Sequence, residues 1–406
     1  MTPWPKEAIK LLPDLVTLRR AIHAEPELGL RTPKTAAKIV AALDGLPLEY
    51  RQGPSTTGLV AVLRGSAAGR AVVLRGDTDA LPMHEDTGLA FASREPGAMH
   101  ACGHDSHVAM LVGAARLLCA RRHELPGTVL FMFQPGEEGW HGARFMLEDG
   151  LLEPLPDAAF ALHVYPNAPH GVFTGREGPL LASADKIRIL VTGRGGHASM
   201  PHDALDPVPI ACEIVGAIQS FVTRRVPVSD PVVVTIARIE AGTTDNVIPE
   251  TASLLGTVRT LSAQNRVSVQ TGLRTLAEGI AAAHGAVARV EFEQGFPVTR
   301  CDGRAVQLGR SAVEDCYGAA SWRTAPDPLM GAEDFAYVLE KVPGAMFFLG
   351  ASADGSDWRS CCGLHSNRMV IDETVMARGS AVLAAIAAKF LSASDGFPRG
   401  KRPDAA

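Results

Sequence analysis

The sequence predicts an α/β protein, a mixed sheet with flanking helices, carrying an inserted α+β domain of ferredoxin-like order. Three observations predict it. Over residues 1–185, apolar strand-like runs alternate with segments of helical period, the pattern of a sheet covered by helices. Over 186–297 the order becomes strand, helix, strand, strand, helix, strand, a compact unit of one sheet with helices on one face. Over 298–391 the first pattern returns, and a chain of 406 residues is longer than one core usually fills.

The elements justify this in order. Lys6 to Ala24 and Thr32 to Leu43 read as helices, the second with Pro33 near its start. Leu59–Leu63 and Ala71–Leu74 are β-like, and the Gly- and Ala-rich stretch between them suits a hairpin loop. A helix follows at Ser106–Arg122, a buried strand at Thr128–Phe133 and an apolar run at Ala158–Leu162 that ends on His163. In the insert the strands are Lys186–Val191, Val232–Ile239, Thr251–Arg259 and Ala286–Phe292, with helices at Pro207–Arg224 and Asn265–His284. A strand at Ala345–Leu349 and a helix from Asp372 to Leu391 complete the first domain, and the polar, Pro/Gly-rich tail 392–406 reads as disordered.

Composition narrows the function. The hydrophobic fraction of 46% and charged fraction of 20% are those of a globular protein. A net charge of -5, with no basic patch, argues against nucleic acid and anionic membranes as partners. No run approaches the roughly 18 uninterrupted apolar residues of a membrane span, and no secretory signal is read at the N-terminus. Seven thinly spread cysteines suit a reducing compartment, with cytoplasm as the expected location.

The chemistry-bearing residues fall into clusters. His100, Cys102, His104, Asp105 and His107 lie within nine positions, and thiolate, imidazole and carboxylate suit zinc, manganese or cobalt. In an extended segment Cys102 and His104 would point to one side; the competing reading is a helix N-terminus with His and Asp near the cap. Gln134-Pro135-Gly136-Glu137-Glu138-Gly139 follows a buried strand, where open α/β sheets place active sites. Adjacent carboxylates repel and need a cation or proton between them, so one can ligate metal while the other serves as general base. His163 falls at a strand end, and His365 follows Cys361-Cys362, which read as bystanders. Asp77 and Asp79 flank Thr78 after a strand and could ligate metal or orient a ligand from behind. Gly193-Arg194-Gly195-Gly196-His197-Ala198-Ser199 reads either as a flexible loop with a stray histidine or as a mobile loop bringing an imidazole to a substrate oxygen.

Together these motifs, with Asn246-Val247-Ile248-Pro249-Glu250 and Met330-Gly331-Ala332-Glu333-Asp334-Phe335, resemble the M20 metallopeptidase superfamily in its aminoacylase or amidohydrolase branch. The resemblance implies two divalent ions per subunit (Mn, Zn, Co or Ni), with Cys102, His104, Glu138, His163 and His365 as ligands and Glu137 as general base. It implies that His197 stabilises the oxyanion, that Asn246 contacts substrate, and that the insert acts as lid and homodimerisation domain. The expected substrate is a small N-acyl amino acid (acetyl, benzoyl or similar), the alternative a short peptide. Two departures stand out. Asp77 occupies a position where many members carry a ligating histidine, leaving Cys102 to share the load. The residues after His365 lack the branch's more usual proline and aromatic groups, which touches the wall of the substrate pocket.

Overall fold

The computed structural model describes residues 2–393. Of the tail expected to be disordered, Ser392 closes the last helix, and 394–406 lie outside the described residues. The chain divides into two units. Among the described residues, the first comprises 2–180, Arg300–Asp327 and 334–393; the second comprises Leu181–Thr299 and Pro328–Glu333.

The first unit is mixed α/β. Its eight strands run in the order Leu48–Gln52, Leu59–Arg64, Pro126–Gln134, Ala67–Asp77, Ala158–Tyr165, Gly344–Gly350, Phe173–Gly175, Trp322–Thr324. From Pro126–Gln134 to Gly344–Gly350 four neighbours are parallel. These four are buried over most of their length. Strands covered on both faces have no solvent side to keep polar, so they read as unbroken apolar runs.

The hairpin expected between Leu59–Leu63 and Ala71–Leu74 does not form. Strand Pro126–Gln134 lies between them, antiparallel to one and parallel to the other. The connection bonds this strand's first residues: the Gly65 and Ser66 N–H groups donate to the Gly127 and Leu125 carbonyls, both at 2.8 Å. Interleaving satisfies the inner ladder edges of both buried strands, which a paired hairpin would leave to find other partners.

Helices Trp4–His23, His104–Ala120 and Val375–Ser392 pack on one another. The middle one is buried everywhere except at Arg116 and Ala120, so it shows no amphipathic stripe. By length and composition Val375–Ser392 could cross a membrane, but 78% of it is buried inside the protein. It is a core helix, and it approaches its neighbour closely: a Cβ on Gly379 would lie 2.0 Å from Met110 Sδ.

The second unit is a four-stranded antiparallel sheet in the order Val233–Ala241, Thr251–Arg259, Asp185–Thr192, Val287–Glu293. Strand Asp185–Thr192 buries Ile187, Ile189 and Val191 and turns the alternate residues outward, the signature of a sheet covered on one side. The covering helices, Pro207–Arg225 and Ala263–Ala283, present Ile210, Ile214 and Ile218, and Val269, Leu273 and Ala277, at helical spacing. Asp206 and Ser262 cap them by accepting the Val208 and Asn265 N–H groups.

Candidate metal centre

The C-terminal ends of parallel strands position the site, as in open α/β sheets generally. Strand Ala67–Asp77 delivers Asp77 and then Asp79; Pro126–Gln134 leads into Glu137 and Glu138; Ala158–Tyr165 carries His163. Cys102 and His104 do not converge through an extended segment. The chain turns at Gly103, a left-handed N-cap with φ 83°, and His104 is the first residue of helix His104–Ala120. A Cβ on Gly103 would sit 2.4 Å from Val164 Cγ2, so glycine is required twice over, by backbone and by space.

Hydrogen bonds aim each donor. His104 Nδ1–H donates to the Asp79 carbonyl at 2.8 Å, which turns Nε2 inward. His163 Nδ1–H donates to the Val164 carbonyl at 2.6 Å, leaving Nε2 3.4 Å from Cys102 Sγ. The Asp79 carboxylate accepts the backbone N–H of Glu137 at 2.9 Å and of Glu138 at 3.0 Å. One aspartate thus holds both glutamates through their backbones and His104 through its own carbonyl. His365 is exposed, with φ 63°, and its N–H bonds the Ala101 carbonyl at 2.8 Å.

Of the overlapping donor sets among the described residues, three are drawn from the expected ligands and Glu137: Cys102, His104 and His163; Cys102, Glu138 and His365; His104, Glu137 and Glu138. Within each, the donor atoms lie within 4.8 Å of one another. The fit to a cation rests on two orphaned atoms. His104 Nε2 and Glu138 Oε1 are buried without a hydrogen-bond partner, 4.0 Å apart. His365 Nε2 stands 3.2 Å from that oxygen without hydrogen-bond alignment. An unsatisfied buried polar atom costs about 1–3 kcal/mol, and a divalent ion satisfies both at once.

The donors differ in the protons they hold, which a bound cation would have to displace. Burial works to lower the pKa of His104, but Asp77 and Cys102 outweigh it and raise it well above its ordinary value. Burial, reinforced by His107, holds His163 well below its ordinary value, in the neutral form a ligand needs. Burial pushes the Cys102 thiol up, so metal binding there releases a proton. Cys102 and Glu138 push His365 up to about 10.

Several residues around the centre had no assigned role in the sequence. Arg75 donates to Asp77 at 2.5 Å, to Gln134 at 2.8 Å and to Asp334 at 3.0 Å, all of them buried. Asp334 also accepts Gln134 Nε2 at 2.7 Å and the Ala143 N–H at 2.9 Å, tying down the chain that carries the glutamates. Removing one partner of such a buried ionic network typically costs about 3–5 kcal/mol. An arginine immediately after the apolar run Val72–Leu74 was the available signal. Cys361 and Cys362 are free thiols and belong to none of the donor sets among the described residues.

Two buried imidazoles behind the site take opposite protonation states. The ring centroids of His23 and His100 are 6.2 Å apart. His23 contacts Asp105 at 2.7 Å and Glu85 at 3.2 Å; burial opposes its charge, but Asp105 and Glu85 raise its pKa to about 9. Neither nitrogen of His100 has a hydrogen-bond partner, and burial pushes it down to about 3. For His23, the folded pKa lies above the unfolded value of about 6.5, so its stabilisation is complete below that pH and disappears as pH rises through about 9. For His100 the sign reverses: stability is lost as pH falls from about 6.5 toward 3. Unfolding free energy from denaturant titrations should therefore fall by up to about 3 kcal/mol between neutral pH and pH ~9.5. His23→Gln should make that alkaline limb shallower, His104 and His365 still contributing to it; an unchanged limb, or a wild-type stability still rising there, contradicts the assignment.

His197 and Asn246 belong to the second unit. They meet across a short antiparallel pair, Gly196–His197 with Val247–Ile248, where the Ala198 N–H donates to the Asn246 carbonyl at 3.1 Å. Both are exposed. His197 Nδ1 accepts the Ser199 backbone N–H at 3.1 Å. A backbone N–H can only donate, so in the neutral ring the proton is on Nε2.

The fold and donor sets define a class, a mixed α/β protein with a candidate metal centre at the ends of its parallel strands. The chain belongs to peptidase family M20/M25/M40, whose profile matches residues 73–389. Among relatives, N-acetylcysteine deacetylase of Bacillus subtilis is 38% identical over 92% of this chain and 96% of its own. Thermostable carboxypeptidase 1 of Saccharolobus solfataricus is 36% identical over 93% of this chain and 95% of its own. IAA-amino acid hydrolase ILR1-like 2 of Arabidopsis thaliana is 35% identical over 93% and 85%. Among solved structures, the Bacillus subtilis YXEP protein, described as a dinuclear metal binding peptidase of the M20 family, superposes with a TM-score of 0.81 at 35% identity, covering 94% of this chain and 99% of that one.

Proposed function

We propose that this protein is a metal-dependent amidohydrolase that cleaves the amide bond of N-acyl amino acids, using two divalent cations held by Cys102, His104, Glu138, His163 and His365. The observation that carries the reading is the overlap of the donor sets at Cys102, with buried, unpartnered atoms on His104 and Glu138. Among relatives, the deacetylase and the IAA-amino acid hydrolase favour an acyl amino acid; the carboxypeptidase favours a peptide less strongly.

Bound there, the cations supply Lewis acidity to the attacking water and the substrate carbonyl. Glu137, held through its backbone by Asp79, takes the proton of the attacking water and delivers it to the leaving nitrogen. His197 directs its Nε2–H to the oxyanion, a contribution of about 3 kcal/mol for one donor. Asn246, beside it, contacts substrate, and Asp77 and Asp79 orient the donors from behind. The second unit acts as lid and homodimerisation domain. Its edge strand Val233–Ala241 pairs on one side only and leaves Val233 and Ile239 exposed, a template that a second copy can cover.

The test is a panel of N-acetyl, N-benzoyl and indole-acyl amino acids beside dipeptides, assayed on chelated enzyme reloaded with Mn, Zn, Co or Ni. Acyl amino acids should turn over faster than dipeptides, and only after reloading. Faster dipeptide cleavage would transfer the assignment to a carboxypeptidase-like enzyme.

A further inference from the structure

Strand Ala158–Tyr165 runs past its parallel neighbour. Its pairing with Ala67–Asp77 stops at Arg75 opposite Ala161, so beyond that point the strand needs other partners on that side. The Val164 N–H, next in sequence to His163, donates to His107 Nε2 at 2.9 Å. A side chain replaces the missing strand. His107 Nδ1 lies 2.6 Å from Asp77 Oδ1, and the His107 ring packs on the His163 ring with centroids 4.4 Å apart at 63°.

These bonds settle what His107 is. Its donor atom lies within 4.8 Å of those of Asp77 and His104, a spacing that could pass for another cation site. Because Val164 N–H can only donate, Nε2 already uses its lone pair; the ring proton is on Nδ1 and goes to Asp77. Neither nitrogen is left for a metal. We propose that His107 is a positioning residue, not a ligand: clamped between Asp77 and the Val164 backbone, it fixes the strand end and ring that aim His163 at the cation shared with Cys102. This rests on the reading of His163 as a ligand.

The variants separate the contacts. His107→Phe keeps a ring and removes both hydrogen bonds; His107→Gln keeps an acceptor within reach of Val164; His107→Asn keeps a donor for Asp77 and drops the Val164 bond. Ion content is read by mass spectrometry of the full chain dialysed against graded chelator, with His163→Ala as reference and thermal unfolding as a fold check. Outer partners of this kind typically change metal affinity 10–100-fold. The expected result is that His107→Phe loses that much affinity for one of two ions, matching the ion lost in His163→Ala, while His107→Gln recovers most of it. Should His107→Phe fail to fold, His107→Asn against His107→Gln carries the same comparison. Wild-type affinity in the variants beside a loss in His163→Ala overturns the inference alone; equal loss in all His107 variants reduces it to a packing effect and overturns it as well. Two tightly held ions in His163→Ala overturn the ligand assignment and this inference with it.

Discussion

Glu137→Gln should retain its ions and lose turnover by about 10²–10⁴-fold, the usual contribution of a positioned general base. The substitution keeps the side chain's shape and removes its ability to accept a proton. It leaves the Glu137 backbone N–H on Asp79 untouched, so the loop that also carries Glu138 keeps its anchor. The effect should fall on kcat, with little change in KM, because the base acts in the transition state and not in binding. Metal content measured alongside decides the meaning. Activity retained at more than about a tenth of wild type would remove Glu137 from the role; activity lost together with the ions would make it a ligand instead.

Asp79→Asn should be the second largest effect, a 10–100-fold fall in kcat/KM. The change is isosteric, but the two carboxylate oxygens now accept from two N–H groups, that of Glu137 buried and that of Glu138 partly so. An amide offers one acceptor and turns an NH2 against the other N–H, leaving a buried donor unpaired at about 1–3 kcal/mol. Both glutamates are then loosened together. His104 is the internal control, because it bonds the Asp79 backbone carbonyl, which the substitution leaves in place. A variant with wild-type kcat/KM would show that the glutamates are held by other means.

The sequence showed which donors to expect and much less of how they are held. Local signals sufficed where chemistry and chain order coincide. Glu137-Glu138 follows a buried strand, and the β-α-β-β-α-β order and the alternation in Asp185–Thr192 are written in periodicity. Contacts between segments distant in sequence were not legible. Nothing near Leu59–Leu74 shows that a strand from residue 126 lies between its two runs. His163 illustrates the same gap. Its place at a strand end was legible, but not that Ala67–Asp77 separates its strand from the one leading to the glutamates, nor that His163 faces Cys102. The convergence of Cys102 and His104 was anticipated with the wrong local geometry, since Gly103 turns the chain where an extended segment was expected.

As a proposed ligand, His365 would set the tempo of ion exchange. Four of the five proposed ligands sit in the packed interior or at its edge, but this one is on an exposed residue of left-handed backbone, a conformation that costs a non-glycine side chain roughly 1 kcal/mol or more. Swinging that single residue outward would open the proposed coordination sphere and leave the sheet and the buried helices intact. Ions should therefore leave and enter by local opening, on a far shorter timescale than global unfolding. Under the proposed ligand set, tight binding at equilibrium and ready exchange with whichever metal the surroundings supply would be compatible.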